Sequence, residues 1–267
     1  MKYVPEVTSS PRFSATHQVV REASEGTLNE LDEHAVEAAM RLAAANSSDD
    51  DGAEVIAITM APEIGDLALR KAFQMGVSRG IRLTDPALAD SDGFGTTAAL
   101  AAAVRKLGAE APVDLVVTGI SSSDGATGVL AALMANELGW PLLSLADSVA
   151  QDGDTLTITR HIDDAVETLR APLPAVLSVT DAANTPRTPN FKAIMAARKA
   201  PIEAWSLADL DIDQIEVGGA GSRIAVVETS QIPPKPPAPT IYDDGAGSGA
   251  AALVEFLSQK GWVSNGE

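Results

Sequence analysis

Val113-Asp114-Leu115-Val116-Val117-Thr118-Gly119-Ile120-Ser121-Ser122-Ser123-Asp124-Gly125-Ala126-Thr127-Gly128 is the stretch that decides the fold. It opens as an apolar run rich in β-branched residues, which predicts a buried parallel strand. It then breaks into small polar residues and glycines. Val129-Leu130-Ala131-Ala132-Leu133-Met134-Ala135-Asn136-Glu137-Leu138 follows with a helical pattern that Gly139 and Pro141 stop. Strand, small-residue loop and helix in that order make a βα unit, and ligands sit at the carboxyl end of such strands in open α/β sheets. Unpaired amides and the helix dipole there favour a phosphate. No G-x-x-x-x-G-K-[ST] and no G-x-G-x-x-G pattern is present. Two readings therefore stand side by side. The loop is small only because its turn is tight, or it holds a phosphate through main-chain amides and hydroxyls with no lysine in the loop. The second suits a mononucleotide better than a magnesium-bound triphosphate.

Upstream, the same alternation repeats. Glu54–Met60 reads as a strand, Glu63–Met75 as a helix ended by Gly76, Gly80–Leu83 as a short strand, and residues 92–107 as an alanine-rich helix ended by Gly108. This rhythm predicts a doubly wound, mostly parallel sheet. Further upstream, Asn29 with Asp32 resembles a capping box for a helix whose apolar stripe is Leu31, Ala35, Ala38, Ala39 and Leu42. Residues 8–27 read as an extended loop. Asp49-Asp50-Asp51-Gly52 reads as a solvated turn, because three consecutive carboxylates lack the alternating spacing of a calcium loop. Almost nothing precedes Lys2 where an α/β domain begins with a full strand, so an upstream start is one expectation.

Downstream of residue 141 the rhythm changes. Ser148–Ala150, Thr155–Arg160, Val166–Leu169 and Ala175–Val179 read as strands, with a hairpin turn at Asp152-Gly153-Asp154. Antiparallel edge strands on the parallel sheet are expected. Residues 186–199 form an irregular basic segment, with Arg187, Lys192, Arg198 and Lys199 interleaved with Phe191, Ile194 and Met195. It is a packed loop with a short helix, or a protein-docking loop. Gly218–Ser222 and Pro233-Pro234-Lys235-Pro236-Pro237 mark linkers. The last piece is one amphipathic helix over Gly249–Gly261 with Leu253, Val254, Phe256 and Leu257. A lone helix has little core of its own and must pack on something. The expected division is an α/β domain over 1–217 and an arm over 218–267.

Composition limits the function. The formal net charge is −18, which argues against nucleic acid as partner, because phosphate binding needs a basic face. There is no cysteine, which excludes disulfides, Cys-ligated zinc, Cys-bound iron–sulfur clusters and a Cys nucleophile. No secretory signal and no bilayer-length apolar run is present, so a cytoplasmic protein is expected. No Ser-His-Asp or paired-carboxylate constellation suggests bond-making catalysis, and no metal site is expected.

These residues, taken together, resemble the β subunit of electron transfer flavoprotein along nearly the whole chain. Val4-Pro5-Glu6 looks like the family's Val-Pro-Asp, and Leu28–Ala39 like the start of its first helix. Arg70-Lys71-Ala72-Phe73-Gln74-Met75-Gly76 is similar to its R-x-A-L-A-M-G segment, and Ser123-Asp124-Gly125-Ala126-Thr127-Gly128 to its nucleotide loop. The most specific match is Ile158-Thr159-Arg160-His161-Ile162-Asp163-Asp164-Ala165-Val166-Glu167-Thr168-Leu169 followed by Leu173-Pro174-Ala175-Val176, with Ala165 where Gly or an acid is usual. Pro186-Arg187, Phe191-Lys192 and Ile194-Met195-Ala196-Ala197 resemble the partner-recognition loop. Two further departures are Val129 in place of the usual Gln and His161 where an acid is common.

The resemblance implies an adenine nucleotide hydrolase-like fold and a heterodimer with an α subunit that holds most of the FAD. Electrons would pass from acyl-CoA and other flavin dehydrogenases, as in fatty acid β-oxidation, to a membrane-bound quinone oxidoreductase. It also implies a structural AMP in this subunit. Carried over, the AMP site is Asn29, Glu30, Leu31 and Asp32, then Met60, then Gly119, Ser122, Ser123, Asp124, Gly125, Ala126, Thr127, Gly128, Val129 and Leu130. The amides of Gly128, Val129 and Leu130 would hold the phosphate. Leu31 would also approach the flavin. Arg187, Phe191, Ile194 and Met195 would form the docking loop, with Phe191 as its apolar anchor. The chain would be a carrier with no catalysis of its own. Two rival readings are a flavin-bifurcating version with a second FAD in place of AMP, and a stand-alone adenine-nucleotide sensor.

Overall fold

The computed structural model describes residues 1–6, 12–15, 17–21, 26–46, 53–233, 235–238 and 240–263. The acidic turn at Asp49–Gly52 and part of the expected loop over 8–27 lie outside them. Two short strands, β1 (Tyr3–Pro5) and β2 (Gly26–Leu28), pair antiparallel. From β2 the chain passes at once into helix α1 (Glu30–Asn46). Strand and helix then alternate as the apolar periods predict: β3 (Ile56–Met60), α2 (Asp66–Gln74), β4 (Arg79–Leu83), α3 (Gly93–Glu110), β5 (Leu115–Gly119) and α4 (Leu130–Leu138). After Gly139 come β6 (Leu142–Ala146), β7 (Ser148–Asp152), β8 (Thr155–Ile162), β9 (Ala165–Pro172) and β10 (Ala175–Val179). The last elements of the first compact unit are α5 (Phe191–Ala197), β11 (Ile202–Trp205), α6 (Leu207–Leu210) and α7 (Gly218–Gly221).

The parallel strands form two ladders, β5-β10-β6 and β11-β4-β3. Their helices lie on both faces. Val36 of α1 and Leu69, Ala72 and Phe73 of α2 pack around Ala57 of β3. Ala99, Ala102, Ala103 and Leu107 of α3 cover Ile81 and Leu83 of β4 together with Trp205 of β11. Ala101 and Val104 of α3 meet Ala131, Met134 and Ala135 of α4 over Val176 of β10. β10 is buried at every residue, because its side chains alternate between two covered faces. Leu177 and Val179 face Ala35 and Ala38 of α1.

Two glycines are fixed by close approach. A Cβ on Gly80 would lie 2.6 Å from the tip of the Phe73 ring, so its absence makes room for that ring against β4. A Cβ on Gly119 would lie 2.7 Å from the Leu31 carbonyl, so the first turn of α1 rests directly on the end of β5.

Several expectations are refined. Gly108 does not end its helix; α3 continues to Glu110, and a Cβ at Gly108 would meet nothing within 4 Å. A glycine on an open helix face costs only propensity, and Pro112 is the effective stop. β6 and β11, both short apolar runs, were not anticipated. The strands β7, β8 and β9 make an antiparallel sheet of their own, after which the chain returns to insert β10 between β5 and β6. The Asn29–Asp32 capping box does not form: Asp32 Oδ2 accepts the Lys2 amide at 2.7 Å, and the Asn29 side chain bonds to the loop after β5.

The chain divides into two compact units, Met1–Thr229 and Ser230–Glu267. Within the first, Asp92 accepts the amides of Phe94 and Gly95 as the cap of α3, and those of Arg223 and Ile224 as well. The strap that follows α7 is thereby tied to the start of that helix. In the second unit, α8 (Ser248–Gln259) is the expected amphipathic helix. Leu253, Val254 and Phe256 on it are exposed, and Trp262 meets Phe256 edge-on with ring centroids 6.4 Å apart.

Candidate functional site

The loop from Ile120 to Val129 leaves the carboxyl end of β5 and is pinned from below by three chain segments. Asn29, 1% exposed, donates from Nδ2 to the Ser121 carbonyl at 2.9 Å and accepts the Ser123 amide at 3.1 Å. Lys2 Nζ donates to Asp124 Oδ1 at 2.8 Å and to Ser122 Oγ at 3.3 Å. Arg21 Nε donates to Asp124 Oδ2 at 2.8 Å. The Asp124 side chain is only 3% exposed. Burial pushes its carboxyl up, but the Lys2 and Arg21 charges outweigh burial and hold it down at about 2. For Lys2 the balance is reversed: burial lowers its ammonium by more than Asp124 raises it.

Above this foundation the loop is open. Gly125, Ala126, Thr127, Gly128 and Val129 are exposed. Ala126 (φ +48°) and Gly128 (φ +64°) take the left-handed conformation, which turns the backbone toward the start of α4. That helix begins at Val129 without a side-chain cap, so among the described residues no side chain caps its first-turn amides, Leu130 among them. By contrast, α3 is capped by Asp92 and α5 by Asn190. An uncapped helix start, a glycine-turned loop and the hydroxyls of Ser122 and Ser123 form a donor set that fits a phosphate.

Among the expected nucleotide residues, the fold brings together Asn29, Leu31, Asp32, Gly119 and the loop from Ser122 to Leu130. Asn29 and Asp32 are buried and bonded to protein partners, so they build the foundation of the site. Glu30 is exposed at the first position of α1. Met60 lies at the end of β3, in the other parallel ladder, half-buried against the cluster around Leu83 and Trp205. Lys2 and Arg21 were missed. Both are distant in sequence from the loop, and only the unpaired Asp124 in an otherwise neutral loop hinted that a cation was needed.

The expected docking residues lie elsewhere on the surface, on one tethered loop. Phe191 is 78% exposed and Met195 40%, whereas Ile194 is half-buried. Arg187 is held by Glu37 of α1, to which its Nε donates at 2.7 Å. His161 donates from its backbone amide to Asp147 Oδ2 at 2.9 Å, and its ring Nδ1 lies 2.7 Å from the same oxygen, so a contact within the chain occupies this position. No group of His, Asp or Glu that could hold a metal occurs among the described residues, and no described helix is long and apolar enough to cross a membrane.

Comparison with known proteins adds to this geometry. The family model for the electron transfer flavoprotein domain matches residues 16–210. The chain belongs to the electron transfer flavoprotein beta-subunit family. It is 34% identical over 258 residues to the electron transfer flavoprotein subunit beta of Mycobacterium tuberculosis, covering 96% of this chain and 95% of that one. It is 35% identical to the Mycobacterium leprae subunit beta over the same shares. It is 31% identical to protein FixA of Bradyrhizobium diazoefficiens, covering 97% of this chain and 90% of FixA. The matched region contains both parallel ladders, the loop after β5 and the tethered basic loop.

Proposed function

We propose that this electron transfer flavoprotein β subunit pairs with an α subunit that holds most of one FAD, and itself binds a structural AMP at the loop after β5. The observation that carries the nucleotide assignment is the uncapped start of α4 beneath the open turn Gly125–Val129. The amides of Gly128, Val129 and Leu130 take the phosphate. Asn29, Lys2 and Arg21 hold the loop ready and need not touch the ligand. A bound FAD supplies the redox chemistry, and this chain supplies packing, with Leu31 beside the flavin, and a docking surface.

In this reading the complex is a cytoplasmic carrier with no bond-making catalysis. It takes electrons from acyl-CoA and related dehydrogenases and delivers them to a quinone oxidoreductase. Phe191 and Met195, exposed on a basic loop in an acidic chain, support a docking role. The arm over 218–267 and the apolar face of α8 pack on the α subunit.

The deciding experiment is to denature the purified heterodimer and quantify what it releases. One FAD and one AMP per dimer is the expected result. Two FAD would replace this reading by the flavin-bifurcating one, and a chain that purifies as a monomer without a yellow partner would favour the adenine-nucleotide sensor.

A further inference from the structure

Glu37 is a carboxylate 3% exposed in a helix whose other buried residues, apart from Asp32, are apolar. The loop after β5 does not use it. Its partners are all on, or directed at, the segment that leads into α5. Arg187 donates to it three times, from Nε at 2.7 Å, from Nη2 at 3.4 Å and from the backbone amide at 3.2 Å. Arg41, one helical turn on, donates from Nε at 2.7 Å and from Nη2 to the Thr185 carbonyl at 3.2 Å. Burial pushes the Glu37 carboxyl up, and the two arginines outweigh it, so it stays below the ordinary range and remains charged.

The same face of α1 carries a further tie. His34 donates from Nδ1 to the Asn184 carbonyl at 3.0 Å, and Asn184 Nδ2 donates back to the His34 carbonyl at 2.9 Å. At the other end of the segment, Arg70 of α2 donates from Nη1 to the Ala197 carbonyl at 2.7 Å and also to that of Ala200. Both ends of a loop with an exposed Phe191 are thus fixed to two packed helices. Among the described residues the buried carboxylate of Glu37 joins Arg187 and Arg41, so losing its charge weakens its bonds to both half-exposed guanidinium groups at once.

We propose that Glu37 is the positioning residue of the docking loop: it sets where Phe191 is presented to a protein partner and does not itself touch flavin, nucleotide or partner. The proposal rests on the docking role given to this loop above.

The test uses the purified heterodimer with Glu37→Gln, Arg187→Lys and, as a control, Phe191→Ala. Flavin and nucleotide content, reduction by a small dye and steady-state reduction by a protein dehydrogenase are measured on each. Glu37→Gln is expected to raise the KM for the dehydrogenase about ten-fold with kcat little changed, and to leave flavin content and dye reduction at the wild-type level. Arg187→Lys, which keeps the charge but loses the fork, is expected to fall between wild type and Glu37→Gln. Hydrogen exchange should rise over residues 184–196 and stay unchanged in α1. If Phe191→Ala raises the KM and Glu37→Gln does not, Glu37 has no positioning role. If Glu37→Gln loses flavin or slows dye reduction as well, its role is structural and the proposal is wrong. If Phe191→Ala leaves the KM unchanged, the docking reading itself fails.

Discussion

Asn29 and Ser123 form the hydrogen bond that sets the level of the loop after β5: the Ser123 amide donates to Asn29 Oδ1 at 3.1 Å, while Asn29 Nδ2 reaches back to the Ser121 carbonyl at 2.9 Å. One buried amide thus satisfies a donor and an acceptor two residues apart. Replacing Asn29 by Asp keeps the acceptor and loses the donor, leaving a carboxylate against the Ser121 carbonyl. We predict that Asn29→Asp lowers unfolding stability by about 1–3 kcal/mol and reduces nucleotide content. Thermal unfolding with nucleotide quantification on the same sample checks both. Undiminished nucleotide content would show that the loop keeps its shape without this residue.

Gly128 is exposed, at φ +64°, beside the uncapped start of α4. Gly128→Asp adds a carboxylate where a phosphate is proposed and strains the left-handed backbone by about 1 kcal/mol. Gly128→Ala adds the strain alone. The expected outcome is a large loss of nucleotide in the aspartate variant and a small one in the alanine variant. Equal losses in both would trace the effect to backbone strain and remove the phosphate assignment.

Gly119→Ala tests the contact between α1 and β5. The added Cβ would stand 2.7 Å from the Leu31 carbonyl, so the helix must move. A destabilisation of about 1–3 kcal/mol is expected from overpacking of this kind, with nucleotide content falling because Leu31 and Asn29 move together. Urea unfolding of both proteins gives the number, and a wild-type midpoint would mean that the first turn of α1 yields at no cost.

Asp124 gives a pH signature. Its folded carboxyl is held at about 2, below the ordinary unfolded value of about 4. A depressed acid stabilises the fold above its unfolded pKa, and that contribution is lost as pH falls from about 4 through about 2. Stability of the wild type should therefore fall more steeply across this window than that of Asp124→Asn. Parallel slopes in urea titrations from about pH 5 down to about pH 2 would show that the Lys2 and Arg21 pairings make no net contribution.

The repeat of apolar strand, small-residue loop and amphipathic helix from Ile56 to Leu138 was legible because each period is local. So was the open, glycine-turned loop after β5, since glycine and small polar residues ahead of a helix carry a backbone meaning of their own. What was not legible depends on distant partners. Asn29 looks like a helix cap from its neighbours, but the loop 92 residues away takes its side chain. Lys2 and Arg21 find Asp124 across more than 100 residues. Gly108 reads as a stop, but in the fold it lies on a helix face where nothing crowds it. β6 escaped notice because five residues behind a proline give too little period to detect.

Helix α1 carries Asn29 just ahead of its first turn and Glu37 two turns later, about 12 Å along one rod at 1.5 Å per residue. Anyone who grafts the tethered loop from a relative onto this protein must therefore transplant the matching face of α1 as well, because Glu37, Arg41 and His34 hold it there. A chimera that exchanges only residues 184–200 would inherit a saddle cut for a different rider.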